Sequence, residues 1–295
     1  YGANDEERNW AKVAVVGFGT VGRGVLEVLR RTEAGIARRL GEQLAVKYIV
    51  DIRDFSCHPD AELFVNNLDT VLADPEVQVE GETIGGTKPA YEYVTRSLES
   101  GRHVVTSNKE MVSKYGAELL AKAKENGVCF LFEASVGGGT PIITPMHQSL
   151  AANTITSVAG IINGTTNFML TRTEKDGADF DAALKEAQAL GDAETIDPSS
   201  DVDGIDACRK IAILASLAYG KHIYPQNVST RGIRAVTPAD MRAARKLGYA
   251  VKLIAWAKKD GDGPLGCAVE PMMVSRGNQL AGVEDVFNAA LIETD

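Results

Sequence analysis

The sequence predicts an α/β chain: a doubly wound parallel sheet, followed by a second domain of α+β type. Three observations carry this. Strand-like and helix-like segments alternate from Lys12 to about Phe132, the mark of βαβ units. A glycine turn follows the first strand directly. After Pro141 the alternation stops, and helices and open-sheet strands come in runs. The expected domains are residues 1–140 and 141–295, with the boundary falling near residues 137 to 148.

Size and composition set the frame. A chain of 295 residues is too long for one small core. Hydrophobic content of 44% and charged content of 24% suit an ordinary globular protein. A net charge of −9 argues against a nucleic-acid-binding surface. Cys57, Cys129, Cys208 and Cys267 lie far apart, with no C-x-x-C and no metal spacing. They read as single thiols in a reducing, cytoplasmic setting. No apolar run approaches the ~18 residues of a membrane span. The start, "YGANDEERNW", is polar and acidic, unlike a secretory signal, and lacks an initiator Met, so a trimmed chain is expected. There is no internal repeat or low-complexity tract.

The elements follow in order. "KVAVVGFGTVGRGVLEVLRR" reads as a buried strand, a turn and a helix, which "RTEAGIARRLGEQ" extends. "LAVKYIVDI" and "VQVEGETIGG" are strands. "AYEYVTRSLESG" is a helix closed by Gly101, and "RHVVTSNKE" is a strand stopping at Thr106 or Ser107. "GAELLAKAKENG" is a helix, and "VCFLFEASVGGG" is a strand leading into glycines. Past Pro141, "AANTITSVAGIINGTTNFML" reads as a strand followed by a turn. "DFDAALKEAQALG" and "GIDACRKIAILASLAYG" read as helices, and "YAVKLIAWAKK" and "LGCAVEPMMV" as strands.

The turn "GFGTVG" places Gly17, Gly19 and Gly22 between a strand and the mouth of a helix. Gly17 permits the turn, Gly19 lets backbone approach a pyrophosphate, and Gly22 lets helix pack on strand. The helix N-terminus then faces the phosphates with its positive end. The motif alone is generic. In this strand-turn-helix setting it predicts a Rossmann-type dinucleotide site. The second strand ends in "IVDIRD", which offers Asp51 for the ribose of NAD and Arg53 for the phosphate of NADP, so the choice stays open. Two further loops, "ETIGGTKPA" and "TSNKE", fall at carboxyl ends of strands, where ligands gather. The residues alone leave Lys109 open between a solvated loop lysine and a group at the cofactor's edge.

"DVDGIDACRKIAIL" crowds Asp201, Asp203 and Asp206 ahead of Lys210. With a helix starting near Asp203 or Gly204, Asp206 and Lys210 stand at i and i+4, on one face and in reach. One reading is a helix cap and a surface ion pair. The other is a cleft floor, because "IAILASLA" is apolar on nearly every side and must be buried.

Together, "VAVVGFGTVG", "ETIGGTKPA", "VVTSNKE", "FEASVGGGTPII", "GIINGTTNFML" and "DVDGIDACRK" resemble the homoserine dehydrogenase family, in order from residue 12 to about 220. The last three carry most of the specificity. The resemblance implies NAD(P)-dependent interconversion of L-homoserine and L-aspartate 4-semialdehyde, on the route to threonine, methionine and isoleucine. It also implies a homodimer built through the second domain's sheet, so that this domain serves both substrate binding and dimerisation.

By the same resemblance, Lys210 is the acid/base and Lys109 lies beside the nicotinamide and substrate. Asp206 and Glu194 hold the substrate's polar groups. The expected cofactor contacts are Gly17, Phe18, Gly19, Thr20, Val21 and Gly22 at the turn. Arg53, Thr83, Lys109 and Gly191 complete them. A monovalent cation, Na+ or K+, is expected on Glu133, Val136, Gly138 and Thr140, largely through backbone carbonyls. "AETIDPSSDVDG" carries one residue more than the family pattern after Glu194, which loosens that assignment. Relatives also continue past "FNAALIETD" into a G-x-G-A-G segment that returns to the cofactor domain, so an incomplete cofactor cleft is expected.

The chemistry fits these residue types. Hydride delivery to an aldehyde carbon leaves charge on oxygen, which a nearby cationic acid stabilises and protonates. A lysine serves if its surroundings lower its pKa toward neutrality. The substrate's amino group needs carboxylates, which Asp206 and Glu194 offer. "NGTTN" reads either as the floor of the site, with Asn163, Thr165, Thr166 and Asn167, or as a self-capped turn. Two other readings compete: another semialdehyde or imine reductase of amino-acid biosynthesis, or a catalytically silent NAD(P)-binding sensor. A sensor has no need of the lysine and carboxylates of residues 194 to 210.

Overall fold

Val13 to Val16 are buried on both faces of their strand, β1 (Ala11–Val16), as an apolar run in a parallel sheet requires. The computed structural model describes residues 11–193, 195–259, 261 and 263–295. They fall into two compact units, the first ending at Ser135 and the second running Val136–Asp295. In the first unit β1 is followed by the helices α1 (Thr20–Arg31) and α2 (Glu33–Leu40), and by strands β2 (Leu44–Val50) and β3 (Phe64–Val65). Then come α3 (Leu68–Leu72), β4 (Val77–Glu82), α4 (Ala90–Glu99), β5 (His103–Thr106), α5 (Lys109–Glu125) and β6 (Phe130–Leu131).

The described strands form a six-stranded sheet in the order β3-β2-β1-β4-β5-β6, with every pair parallel. The order reverses between β1 and β4, and ligands bind in such folds outside the carboxyl ends at this switch point. Apolar clusters form on the sheet around Val16, Val50 and Val71, and around Phe18, Leu26 and Ile49.

Two expectations need correction here. The first helix is not simply extended. It ends at Thr32, whose hydroxyl and N–H both bond the Val28 carbonyl, and α2 begins anew. A β-branched residue bonding back to the preceding turn disrupts the helix at that point. The last strand is also short. It pairs with β5 over two residues, and the chain then turns at Glu133–Ser135, with the Ser135 hydroxyl and N–H donating to the Phe132 carbonyl.

In the second unit come α6 (Ile143–Gln148), β7 (Ile155–Ile161), α7 (Gly164–Asp176), α8 (Phe180–Leu190), α9 (Ser199–Val202) and α10 (Ile205–Tyr219). After them follow β8 (Ser229–Thr230), α11 (Pro238–Lys246), β9 (Tyr249–Lys259), β10 (Leu265–Ser275) and β11 (Ala289–Thr294). The described strands make a sheet ordered β11-β7-β9-β10-β8, antiparallel except for the β8–β10 pair. Helix α10 packs across β7, β9 and β10, burying Ile211 to Ala215. The segment "NGTTNFML" is not a turn but the start of α7. Asn163 caps it, its Oδ1 accepting from the Thr166 N–H at 2.9 Å. No helix among the described residues is long and apolar enough to cross a membrane.

Candidate functional site

The glycine turn is built by close approach. Gly17 has φ of +96°, and a Cβ on Gly22 would lie 2.0 Å from the Gly17 carbonyl oxygen. The Thr83 hydroxyl donates to that same carbonyl at 2.7 Å, tying β4's end to the turn. In front of Gly19 the space is open, with nothing within 4 Å of where a Cβ would stand. Gly19 is the N-cap of α1, no side chain caps the helix, and its first turn holds no acid. Thr20 and Val21 begin α1 and are exposed. Free N–H groups at a positive helix end, behind an open glycine, suit a pyrophosphate.

Beside the turn lies a cleft of about 420 Å³ lined by Gly17, Gly19, Asp51, Arg53, Thr83 and Tyr93, among others. That volume lies within the usual range of small-molecule pockets. Asp51 Oδ2 accepts the Phe18 N–H at 2.8 Å, so β2's end holds the turn in place. Arg53 grips both Asp51 oxygens, at 2.9 and 2.7 Å, and this guanidinium holds the Asp51 carboxyl well below the usual carboxylate range. The Phe18 ring points elsewhere, packing edge-on to Phe55 and Phe64 in the core. Lys109 is the first residue of α5, after the N-cap Asn108. The residues present therefore fit a dinucleotide.

In the second unit the three acids of the 201–206 run part ways. Asp203 turns outward to the Arg234 guanidinium. Asp206, 3% exposed, meets the Lys210 ammonium at 2.8 Å, and Lys210 also donates to the Ile162 carbonyl at 2.9 Å. Asn163 Nδ2 donates to Asp206 Oδ2 at 3.0 Å and to Asp201 Oδ1 at 2.8 Å. One amide thus joins two carboxylates and caps α7 as well. Thr165 donates to the Asp192 carbonyl. Asp192, Thr195 and Asp201 line a second cleft of about 470 Å³ with Gly191, the C-cap of α8. Gly191, expected at the cofactor, thus belongs to the second unit. Glu194 lies outside the described residues.

Two features escaped the sequence. Asp201 had no assigned role, and Asn163 had no role as a clamp. An asparagine ahead of "GTTNFML" is an N-cap signal that would have found the helix, though not the carboxylates its amide reaches. Of the expected cation ligands, Glu133 belongs to the first unit and Val136, Gly138 and Thr140 to the second. The 137–140 turn is wound so tightly that a Cβ on Gly137 would lie 2.1 Å from the Thr140 carbonyl oxygen. Among the described residues no group of three or more His, Cys, Asp or Glu side chains is placed to hold a metal.

Known proteins share this chain's features. A family model described as homoserine dehydrogenase matches residues 141–295. A model of the homoserine dehydrogenase NAD-binding domain matches residues 17–133. The homoserine dehydrogenase of Bacillus subtilis is 39% identical over 285 residues, 95% of this chain and 65% of that protein. That of Pseudomonas aeruginosa is 41% identical, over 96% of this chain and 65% of its own length. The chain therefore spans just under two thirds of these curated relatives. A solved homoserine dehydrogenase from Thiobacillus denitrificans superposes with a TM-score of 0.91 at 41% identity, over 97% of this chain and 66% of that one. A hyperthermophilic archaeal homoserine dehydrogenase in complex with NADPH has a TM-score of 0.81 at 32% identity, over 97% of this chain and 88% of that one. With both family models and these relatives in agreement across the two units, the chain belongs to the homoserine dehydrogenase family.

Proposed function

We propose that this chain interconverts L-homoserine and L-aspartate 4-semialdehyde with NAD(P), the oxidoreductase step on the way to threonine, methionine and isoleucine. The observation that carries the reading is the Lys210 ammonium, held between the Asp206 carboxylate and the Ile162 carbonyl, with Asn163 bridging Asp206 to Asp201. A surface ion pair has no need of such a bridge. The nicotinamide supplies the hydride when bound. Lys210 donates its proton to the oxygen of the aldehyde as charge develops there, and takes it back in the oxidising direction. Asp206 and Asp201 offer negative charge to the substrate's amino group. Glu194 joins them in this proposal by family resemblance. Lys109, opening α5 at the carboxyl edge of the cofactor sheet, orients the reacting ends.

The turn residues Gly17 to Gly22, with Arg53 and Thr83, hold the dinucleotide in this reading, and Gly191 is a further cofactor contact by family resemblance. A monovalent cation, Na+ or K+, is proposed on Glu133 and the carbonyls of Val136, Gly138 and Thr140. This donor set is all oxygen and suits a hard cation. The protein is proposed to act as a homodimer in the cytoplasm, in keeping with four cysteines that are all free thiols. Homoserine-dependent reduction of NAD(P)+ tests the activity. Its dependence on Na+ or K+ tests the cation, and sedimentation tests the dimer.

A further inference from the structure

We propose that Glu82 is a positioning residue of the cofactor site, one buried carboxylate that holds both the 83–86 loop and the start of α5, where Lys109 stands. What those two elements do rests on the dehydrogenase reading. How they are held rests on the geometry that follows.

Glu82 ends β4 and is opposite Thr106, which ends the neighbouring strand β5. Both are buried, at 0% and 2% exposure. A carboxylate taken out of water costs several kcal/mol unless donors surround it. Three do so here. Glu82 Oε1 accepts the Ile84 N–H at 2.8 Å and, more weakly, the Gly85 N–H at 3.4 Å, folding the loop back over the strand end. Oε2 accepts the Thr106 hydroxyl at 2.6 Å. That hydroxyl has one hydrogen, and spending it on Glu82 leaves its lone pairs for the Asn108 N–H at 2.9 Å. Asn108 then works in two directions. Its Oδ1 accepts the Met111 N–H at 3.0 Å, capping α5, and its Nδ2 donates to the Gly86 carbonyl at 2.6 Å.

The bonds therefore form a ring. They leave the loop at Ile84 and Gly85, pass through Glu82, Thr106 and Asn108, and return to the loop at Gly86. Lys109 is the residue after the last link. The ring's directions require both oxygens of residue 82 to accept. A glutamine puts a donor on one side, so either the two loop N–H groups lose their partner or the Thr106 hydroxyl must reverse. Glu80, two residues back on the same face, is equally buried. Its side chain has the Ser97 hydroxyl as a partner, and burial pushes its pKa up to about 8.

The test compares the intact chain with Glu82→Gln by amide hydrogen exchange without cofactor, NADPH titration, and homoserine turnover. We expect a folded variant with β1 amides protected as before, but faster exchange at Ile84, Gly85, Asn108 and Met111 together. NADPH affinity should fall by about threefold to tenfold, the scale of one net hydrogen bond. kcat should fall while the KM for homoserine stays within about twofold, since the substrate carboxylates are elsewhere. Faster exchange at Ile84 and Gly85 alone, with Asn108 and Met111 unchanged, would overturn the proposal. If Glu82→Gln does not fold, Thr106→Ala cuts the ring while leaving the Glu82-to-loop bonds intact. It should free Asn108 and Met111 and weaken NADPH, and wild-type values there would also overturn it. Failure of the dehydrogenase reading looks different: the unmutated chain binds NADPH but leaves homoserine untouched, and the exchange and titration results still decide the role of Glu82.

Discussion

Asp206 and Lys210, four residues apart on α10, meet at 2.8 Å with side chains only 4% and 14% exposed. An exposed pair at this spacing contributes a few tenths of a kcal/mol, whereas a buried one, once broken, leaves a charge without its partner. In the proposed function this pair carries the proton transfer, and a rate measurement separates that role from a structural one. Lys210→Ala should lower kcat by about 10²-fold or more, the scale of a positioned acid/base, with NADPH affinity unchanged. Lys210→Arg keeps the charge but does not release its proton near neutral pH, so it should not restore the rate. Near-normal turnover in the alanine variant would move the role to Lys109.

Asn163 allows a separation of roles. Asn163→Asp keeps an oxygen for the Thr166 N–H and so keeps the helix cap. It replaces the donor to Asp201 and Asp206 with a third carboxylate. We expect the KM for homoserine to rise by about tenfold or more, and the melting temperature to fall, because three carboxylates then face one another in a buried place. Asn163→Ala should add a cap loss of about 1 kcal/mol, visible in urea unfolding. Equal KM values for wild type and Asn163→Asp would remove the clamp from substrate binding.

The glycine turn gives a simpler test. Gly19→Val should weaken dinucleotide binding and leave the fold intact, because its side chain would fill the open space in front of α1. Titration with NADPH beside circular dichroism measures both. A folded variant with unchanged affinity would place the pyrophosphate elsewhere.

The parts of this molecule that the sequence makes legible are those with local signatures. The buried run of β1, the glycines after it and the i, i+4 spacing of Asp206 and Lys210 each depend on near neighbours. β11 escaped notice because its partner is β7, with Ala289 opposite Ile161, and no short window holds both strands. The start of α7 reads as a turn because "NGTTN" is as good a turn as a helix start. The apolar packing behind it, with Phe168, Met169 and Leu170 all buried, decides the matter. Glu82 and Asn163 were hidden for the same reason as β11. A buried carboxylate or amide is explained by its partners, and these come from strands and helices distant in sequence.

Glu80 predicts a pH dependence. Burial, and behind it the neighbouring Glu82 charge, raise its pKa from 4.5 to about 8 against the opposing Ser97 bond. The folded state thus holds a proton that the unfolded state releases above pH 4.5. The stability from that proton is full below 4.5 and is lost as pH rises through 8. Glu80→Gln, neutral throughout, should gain stability relative to wild type steadily across this window. Urea unfolding of both at pH 5, 7 and 9 reads the difference. Parallel curves would mean that Glu80 does not titrate there.

Asp51 and Arg53 bear on cofactor choice. Each Asp51 oxygen accepts one bond from the Arg53 guanidinium and one from a backbone N–H, that of Arg53 or of Phe18, so the acceptors that NAD's ribose would need are occupied. We expect Arg53 to meet the 2′-phosphate when the dinucleotide is NADP. Arg53→Ala should weaken NADPH by about tenfold, the loss of one charge-assisted contact, and should leave NADH no weaker, because it frees the Asp51 oxygens. Equal losses for both would assign Arg53 to the turn's stability.

In the proposed function the Lys210 cluster turns over homoserine and the glycine turn holds the dinucleotide. The most direct measurement incubates the chain with L-homoserine and NADP+ or NAD+ and follows the near-ultraviolet absorbance of the reduced cofactor. We expect reduction that requires homoserine and is nearly abolished in Lys210→Ala. A chain that binds the cofactor yet reduces none of it in the presence of homoserine would be a silent dinucleotide sensor instead.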